Sequence, residues 1–204
     1  MRVLAIVPAR GGSIGVLKKN IRKVDGQPLI LYTLEKAKQS KLISSLIVTT
    51  DDDEIKKVVE NEGYAVQIRS KENASSTAKI EDVIIEVLNK LTEKFDILLL
   101  LQPTAPIREL EDIDNVIEMF SNEQIENVIS VVELEDIHPA RMYTLGSSNS
   151  MISLDENLEK NRRQDLPKVY LRNGCIYAIR TDVFEKEKKI ITKNKSAYIM
   201  PESK

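Results

Sequence analysis

The sequence predicts an α/β fold: a doubly wound, mostly parallel sheet that carries one small β-rich arm. Short apolar runs recur along the chain, stretches with a helical apolar stripe separate them, and this pattern stops between Glu133 and Lys168. The 204 residues are 42% hydrophobic and 30% charged, which suits one domain with a core of ordinary size. We therefore predict a single domain over residues 1–204, with the arm at residues 133–172, inserted before the last strands.

Four nearly continuous apolar runs predict strands that are buried on both faces, as the strands of a parallel sheet are. These runs occupy residues 3–7, 46–48, 97–101 and 128–132. Between the runs, apolar side chains three and four positions apart predict helices around residues 55–59, 80–91 and 113–120. Because strands and helices alternate, the crossovers should be right-handed and the sheet doubly wound. One more strand is expected at residues 174–179.

The segment from Glu133 to Lys168 has no clean period and is rich in Asn, Ser, Asp and charged residues. A structureless loop of this length is uncommon inside a compact domain. We therefore expect a β-rich arm that serves an active site or a partner subunit.

Composition and charge argue against several classes of protein. Thirty basic residues and 32 acidic ones leave a formal net charge of -2, so we expect no nucleic acid as the main partner. The single cysteine, Cys175, can form no internal disulfide and lies in an apolar stretch, so we interpret it as a core residue. No apolar run approaches the roughly 20 residues of a membrane span, and the first run is too short for a signal sequence. We expect a soluble, cytoplasmic chain that does not contact membranes.

The most informative segment follows the first predicted strand. Residues 8–15 read PARGGSIG, and Lys18, Lys19 and Asn20 come shortly afterwards. Glycines let the backbone approach a ligand closely, and exposed N–H groups can cradle an anion. The positive charges of Arg10, Lys18 and Lys19 suit a polyphosphate. The segment matches neither G-x-x-x-x-G-K-[ST] nor G-x-G-x-x-G, and on its own a flexible strand-to-helix loop is an equal alternative.

Two other predicted strands also end in polar residues. Residues 51–53 are three aspartates, and Asp52 or Asp53 is expected to cap the helix that begins near Glu54. Residues 102–108 read QPTAPIR, in which two prolines make a rigid turn that could present polar side chains to a ligand or simply connect strand to helix. Ligands bind beyond the carboxyl ends of the strands in open α/β sheets, so we predict a site at this edge.

Taken in order, these motifs resemble the acylneuraminate cytidylyltransferase family, the CMP–sialic acid synthetases. The resemblance rests on VPARGGS at 7–13, KN at 19–20, PL at 28–29, TD at 50–51, LQPT at 101–104, HP at 138–139, RQ at 163–164 and RNG at 172–174. The shared order and spacing carry more weight than any single piece. The 3-deoxy-octulosonate cytidylyltransferases have a similar first loop without the Gly-Gly-Ser form, and they are the second choice.

The resemblance implies a nucleotidyltransferase domain that joins CTP to an acidic 2-keto-3-deoxy nine-carbon sugar, giving a CMP-sugar and pyrophosphate. The anomeric hydroxyl would attack the α-phosphorus in line, which calls for cationic groups and for Mg²⁺ or Mn²⁺. The catalytic residues that it implies are Arg10 and Lys19. Its nucleotide-binding residues are Ala9, Arg10, Gly11, Gly12, Ser13, Lys19, Asn20, Arg69 and Thr77. Its residues for the acidic sugar are Gln102, Arg141, Arg163, Gln164, Asn173 and Tyr177.

The same resemblance implies a homodimer in which the arm completes the sugar pocket of the neighbour. It also implies that an Asp-x-Asp segment beyond Lys204 would help to hold the metal. A solvated surface position is the alternative for Arg69 and for each arginine of the arm.

The sequence departs from the family pattern in four positions, and Lys18 could replace the lysine that is usual at the first of them. The departures are Ile14, Leu17, Ser76 and Lys79.

Two functions of other kinds stay open at this point. A non-catalytic or weakly active relative that binds a nucleotide or sugar is favoured by Ile14, whereas Lys19 and Asn173 favour an enzyme. A nucleotidyltransferase for UTP and a hexose phosphate would need a Gly-x-Gly-[ST]-[RK]-like loop.

His138 precedes a proline in an irregular segment, and we expect a structural role rather than general-base catalysis. The choice among neuraminate, legionaminate and pseudaminate depends on loop shape rather than on a motif.

Overall fold

The computed structural model describes residues 1–12, 15–75 and 77–201. The predictions made for Ser13, Ile14 and Ser76 lie outside these residues. The strands are β1 (Val3–Pro8), β2 (Lys23–Val24), β3 (Gln27–Pro28), β4 (Ser45–Thr50), β5 (Ala65–Ile68), β6 (Ile97–Leu101), β7 (Asn127–Leu134), β8 (Tyr143–Leu145), β9 (Met151–Ser153), β10 (Val169–Arg180) and β11 (Ser196–Met200). The helices are α1 (Leu29–Gln39), α2 (Asp53–Asn61), α3 (Lys71–Ala74), α4 (Ile80–Asn89), α5 (Leu110–Met119), α6 (Glu156–Glu159) and α7 (Thr181–Glu187).

The main sheet has the strand order β11-β7-β10-β6-β1-β4-β5 in the part of the chain that the structure describes. Strands β4 and β6 both pair in parallel with β1, and β5 continues in parallel from β4. Strand β10 is antiparallel to its neighbours β6 and β7, and β11 is parallel to β7. The chain order reverses between β1 and β6. The predicted doubly wound, mostly parallel sheet is confirmed.

Successive side chains of a strand point to opposite faces of the sheet, so each central strand contributes to two separate cores, one on each face. In β1, Val3, Ala5 and Val7 pack in one core, whereas Leu4 and Ile6 pack in the other. Helices α1, α2 and α5 cover the first core, and α4 and α7 cover the second. Since both faces are covered, the central strands read as continuous apolar runs rather than alternating ones.

The edges of the sheet differ most from the sequence prediction. Strands β5 and β11 were not predicted, because nearly all of their residues are only partly buried or exposed and they leave no continuous apolar run. The last predicted strand, at residues 174–179, is the buried half of the longer β10.

The arm lies between β7 and β10. It contains the hairpin formed by β8 and β9, the short helix α6 and several 3-10 turns. Residues 133–134 and 169–172, which the sequence prediction included in the arm, pair with each other or with their neighbours in the main sheet. The arm therefore occupies residues 135–168. Among the described residues, no helix combines the length and apolar character that crossing a lipid bilayer requires.

Candidate active site

A cleft of about 490 Å³ opens at the carboxyl ends of β1 and β6. These neighbouring strands flank the point where the chain order reverses, which is where open α/β sheets bind their ligands. Five residues predicted for the site line the cleft, and they come from three separate segments of the chain. They are Arg10, Lys19, Asn20, Arg69 and Gln102.

The loop after β1 is closed by its own polar contacts. Asn20 is buried, and its side-chain amide donates a hydrogen bond of 3.0 Å to the carbonyl oxygen of Arg10. The guanidinium of Arg10 reaches across the cleft to the carbonyl oxygen of Ser75, at 3.3 Å from Nη1. Ala9 lies behind the cleft instead of lining it, since its side chain is in the core and its N–H bonds to Thr49.

Gly11 is where this loop needs a glycine. Its N–H donates to Asp51 Oδ1 at 3.1 Å, and a Cβ added to it would overlap the side chain of Asp52. Asp52 cannot easily move away, because its Oδ1 accepts from the N–H groups of Glu54 and Ile55 at the start of α2. The predicted capping role of Asp52 is thus confirmed. Gly12 faces open space, so a side chain would fit there.

The two lysines of the loop have different surroundings. Lys19 is half-buried and lines the cleft. Lys18 is exposed, and its Nζ lies 2.6 and 2.7 Å from the two carboxylate oxygens of Glu54. The hydrogen bond and the negative charge of Glu54 raise the pKa of Lys18 above its ordinary value. In this structure Lys18 is therefore paired with Glu54 and does not line the cleft.

Arg69 is buried in the wall of the cleft, with 8% of its surface exposed, so the surface alternative for this residue is wrong. Its Nη2 donates to the carbonyl oxygen of Thr49 at 2.6 Å. Its Nε is buried and has no hydrogen-bond partner among the described residues. Burial lowers the pKa of Arg69, while the carboxylates of Asp51 and Glu86 act in the opposite direction. A buried donor that is left over in a cleft wall can bind a ligand atom.

Two polar residues in the cleft were missed by the sequence reasoning. Asn73 and Ser75 line it from the segment after β5. The signal was the carboxyl end of a strand, but β5 itself was not predicted, so its end could not be recognised. Thr77, which was predicted for the nucleotide, is exposed and lies outside the cleft lining, with its Oγ1 3.4 Å from Ser75 Oγ.

Three residues predicted for the sugar meet at a bulge of β10. The pairing of β10 with β7 shifts between Arg172 and Tyr177, and Gly174 in the bulge has a φ of 72°. The Cβ position of Gly174 is 3.4 Å from Gln102 Oε1 and 4.0 Å from the hydroxyl of Tyr177. Asn173 stabilises the bulge, because its Oδ1 accepts hydrogen bonds from Ser130 Oγ at 2.7 Å and from the N–H of Cys175 at 3.2 Å.

Arg108 joins the turn after β6 to this bulge, which the sequence reasoning missed. It is 1% exposed, and its Nη2 donates to the carbonyl oxygens of Gln102 and Cys175, each at 2.8 Å. Its other donors reach Cys175 Sγ at 3.3 Å and Thr33 Oγ1 at 3.2 Å. Burial lowers the pKa of Arg108. The thiol of Cys175 is buried, as predicted.

The arm residues predicted for the sugar do not line the cleft formed by the described residues. Arg141 donates to the carbonyl oxygens of Glu159 and Asn161, both at 2.6 Å, and Gln164 is exposed. Arg163 forms an ion pair with Asp136.

His138 has the structural role that the sequence predicts. Its Nδ1 accepts from the N–H of Ala140 at 3.0 Å, and its Nε2 lies 3.0 Å from the carbonyl oxygen of Pro167. Both ring nitrogens are therefore used in holding the arm.

In the part of the chain that the structure describes, no three His, Cys, Asp or Glu side chains lie close enough together to hold an ion. The carboxylates beside the loop are Asp51 and Asp52, and both accept backbone hydrogen bonds.

Comparisons with known proteins point to one family. A family model described as cytidylyltransferase matches residues 4–200. An N-acylneuraminate cytidylyltransferase of Streptococcus agalactiae is 30% identical over 202 residues, which cover 98% of this chain and 48% of that protein. A pseudaminic acid cytidylyltransferase of Campylobacter jejuni is 32% identical over 207 residues, covering 98% of this chain and 88% of that protein.

A solved structure shows the same fold. The structure of a CMP:2-keto-3-deoxy-manno-octonic acid synthetase complexed with CTP matches with a TM-score of 0.73 at 19% identity, covering 98% of this chain and 90% of that one. The sheet with its reversed strand order and the cleft at the reversal place the chain among the doubly wound α/β proteins. The chain belongs to the cytidylyltransferase family, as the motifs predicted. It spans about half the length of the N-acylneuraminate cytidylyltransferases that it matches.

Proposed function

We propose that this chain transfers CMP from CTP to an acidic 2-keto-3-deoxy nine-carbon sugar and releases pyrophosphate. The observation that carries the proposal is the convergence of three cationic side chains, Arg10, Lys19 and Arg69, on one cleft at the strand-order reversal. The names of the relatives support a nonulosonic acid as the sugar, with neuraminate, legionaminate and pseudaminate as the candidates.

In this proposal the protein contributes charge and position rather than a covalent nucleophile. Arg10 and Lys19 stabilise the negative charge that builds on the phosphate oxygens as the anomeric oxygen attacks the α-phosphorus. Arg69 adds a third positive charge from the wall of the cleft, in which its side chain is buried. Gln102 and Tyr177, which approach each other at the bulge of β10, orient the sugar.

The proposal includes a divalent ion, Mg²⁺ or Mn²⁺, because the family resemblance implies one. The described residues do not form a three-ligand site. The roles given to Arg10, Lys19 and Arg69 are therefore those of protein charges alone.

We also propose a homodimer in which the arm of one protomer completes the sugar pocket of the other. Arg141 and Arg163 support this because they do not line the cleft of their own chain. The hairpin of the arm is exposed at Leu145 and Met151, which show 71% and 63% of their surface. A second copy is the occupant that would bury such an apolar face and bring the arginines to a carboxylate.

The test is pyrophosphate release from CTP with magnesium and each of the three acids, with UTP, ATP and GTP as controls. We expect release with CTP and at least one nonulosonic acid. Binding of CTP without any release would support the binding relative instead. Preference for 3-deoxy-octulosonate would support the second choice of sugar, and titration that shows UTP or ATP bound as tightly as CTP would overturn the proposed base.

A further inference from the structure

We infer that Glu86 of α4 is a positioning residue for the nucleotide side of the cleft, acting through residues 70–75 and the guanidinium of Arg10. The inference rests on the proposed function, because it states how the protein keeps the CTP-binding wall in place.

The carboxylate of Glu86 accepts four hydrogen bonds, and three of them come from one short segment. Its Oε1 accepts from the N–H of Ser70 at 2.8 Å and from Lys90 Nζ at 2.6 Å. Its Oε2 accepts from Ser70 Oγ at 3.0 Å and from Asn73 Nδ2 at 2.6 Å. The side chain of Glu86 is 16% exposed, so water competes little for these contacts.

Apart from Glu86, the described residues give this segment few anchors, such as the 3.4 Å hydrogen bond from Asn73 Nδ2 to the carbonyl oxygen of Asp82. The segment contains α3, a helix of four residues, none of which is buried. A helix this short is not stable on its own. Ser70 caps α3 by accepting from the N–H of Asn73 at 3.3 Å, and Ser70 is itself bonded to Glu86. The anchor of the segment is therefore polar and centred on one carboxylate.

The segment in turn shapes the cleft. Asn73 and Ser75 line it, and the carbonyl oxygen of Ser75 accepts from Arg10 Nη1 at 3.3 Å. Two hydrogen bonds, from Asn73 to Glu86 and from Arg10 to the carbonyl oxygen of Ser75, are thus connected through the short stretch of backbone between Asn73 and Ser75. If the segment loosens, CTP must order it on binding. The apparent affinity for CTP then falls in proportion to the fraction of molecules in which the wall is in place.

Glutamate suits this position because all four partners are donors. In Glu86→Gln the shape is retained, but the amide offers one oxygen acceptor and turns an NH₂ group towards two donors. Ser70→Ala is a milder second variant that removes one of the four bonds. Glu118→Gln is the matched control: Glu118 is an exposed residue of α5 whose side chain makes no hydrogen bond or ion pair with the described residues.

The experiment is titration of CTP into the full chain, together with steady-state kinetics and amide hydrogen exchange. For Glu86→Gln we expect CTP to bind about tenfold more weakly, the loss of roughly one charge-assisted hydrogen bond. The KM for CTP should rise in parallel, with kcat and the KM for the sugar within about twofold of wild type. Amide exchange should accelerate in residues 70–75 and not elsewhere. Combining Ser70→Ala with Glu86→Gln should add little to the loss, since both remove the same anchor.

Unchanged CTP affinity in Glu86→Gln would overturn the inference, and so would a loss shared equally by kcat, the sugar KM and exchange throughout the protein. If the wild-type chain binds no CTP, the proposed function fails, and exchange in residues 70–75 decides the positioning role without a ligand. Equal exchange in Glu86→Gln, Glu118→Gln and wild type would then refute it.

Discussion

The cleft and the arm both contain arginines predicted for substrate, but their surroundings differ. In the cleft, Arg69 is 8% exposed and keeps an unpaired Nε. In the arm, the exposed Arg141 has its guanidinium bonded to two backbone carbonyls of the arm itself. A buried donor without a partner is costly unless a ligand meets it, whereas an exposed one that is already bonded costs nothing. The cleft is therefore ready for a ligand within one chain, and the arm is not.

The two regions also differ in how much apolar surface they expose, and here the arm is the region with unsatisfied surface. The cleft stands on a core to which Ala9 and Val7 belong, so its floor is buried. The hairpin of the arm exposes Leu145, Met151 and Ile152. The cleft therefore has a buried apolar floor, whereas the arm exposes apolar side chains, which the proposed second copy would cover. Four variants would sharpen or break this contrast.

The largest expected effect is that of Lys19→Ala in the cleft. Removal of one charge that stabilises the transition state should lower kcat by about 10²–10³, with the free energy of unfolding little changed because Lys19 is half-buried. Lys18→Ala is the matched control one position earlier, and it should stay within about twofold of wild type because Lys18 is exposed and bound to Glu54. If Lys19→Ala and Lys18→Ala lower kcat by the same factor, the phosphate role proposed for Lys19 is wrong.

This pair also shows how far sequence reasoning reaches. The motif marked both lysines as cations near a phosphate, and only the fold separates them, because Glu54 is on another element. Likewise, the central strands were predictable because burial on both faces leaves a continuous apolar run, and the site's edge followed from where those runs end. Glu86 and Arg108 were not predictable. Arg108 meets Cys175 across 67 positions of sequence, and no local pattern encodes such a contact.

The second prediction tests the arm. Leu145→Asp places a charge on the exposed hairpin and should shift the proposed homodimer to monomers in light scattering. Because the cleft is formed within one chain, CTP affinity should stay within about twofold, while sugar affinity falls about tenfold or more. Asn149→Asp, in the exposed turn of the same hairpin, adds the same charge away from the apolar side chains and should remain dimeric. A monomeric Leu145→Asp with full sugar affinity would show that the arm serves no neighbour.

The third prediction concerns the bulge of β10, which lies between the two regions. Gly174→Ala and Gly63→Ala both force alanine into a positive φ, 72° and 76°, and each should lose about 1–2 kcal/mol of unfolding free energy. Only at Gly174 does the new Cβ touch the predicted sugar side: it contacts Gln102 Oε1 at 3.4 Å, an ordinary van der Waals distance at which a methyl group shields that oxygen from a polar ligand. At Gly63 the new Cβ meets open space. We therefore expect about a fivefold rise in the sugar KM for Gly174→Ala alone, equivalent to one weakened hydrogen bond. An equal KM for the sugar in the two variants would contradict the proposal that Gln102 contacts the sugar.

The last prediction, and the one most specific to the cleft wall, is the response of Glu86 to acid, which changes stability only below neutral pH. Burial raises its pKa, but the hydrogen bonds from Lys90, Asn73 and Ser70 outweigh burial and lower it from 4.5 to about 2. Because the folded-state pKa lies below the unfolded one, the carboxylate contributes stability above about pH 4.5, and this contribution is lost as the pH falls towards 2. The difference in unfolding free energy between wild type and Glu86→Gln should therefore be constant near neutrality and shrink between those two values, as measured by urea unfolding at each pH. A difference that stays constant down to pH 2, or that grows, would mean that the four hydrogen bonds do not favour the charged form. The wall of the cleft would then be held by something other than this carboxylate.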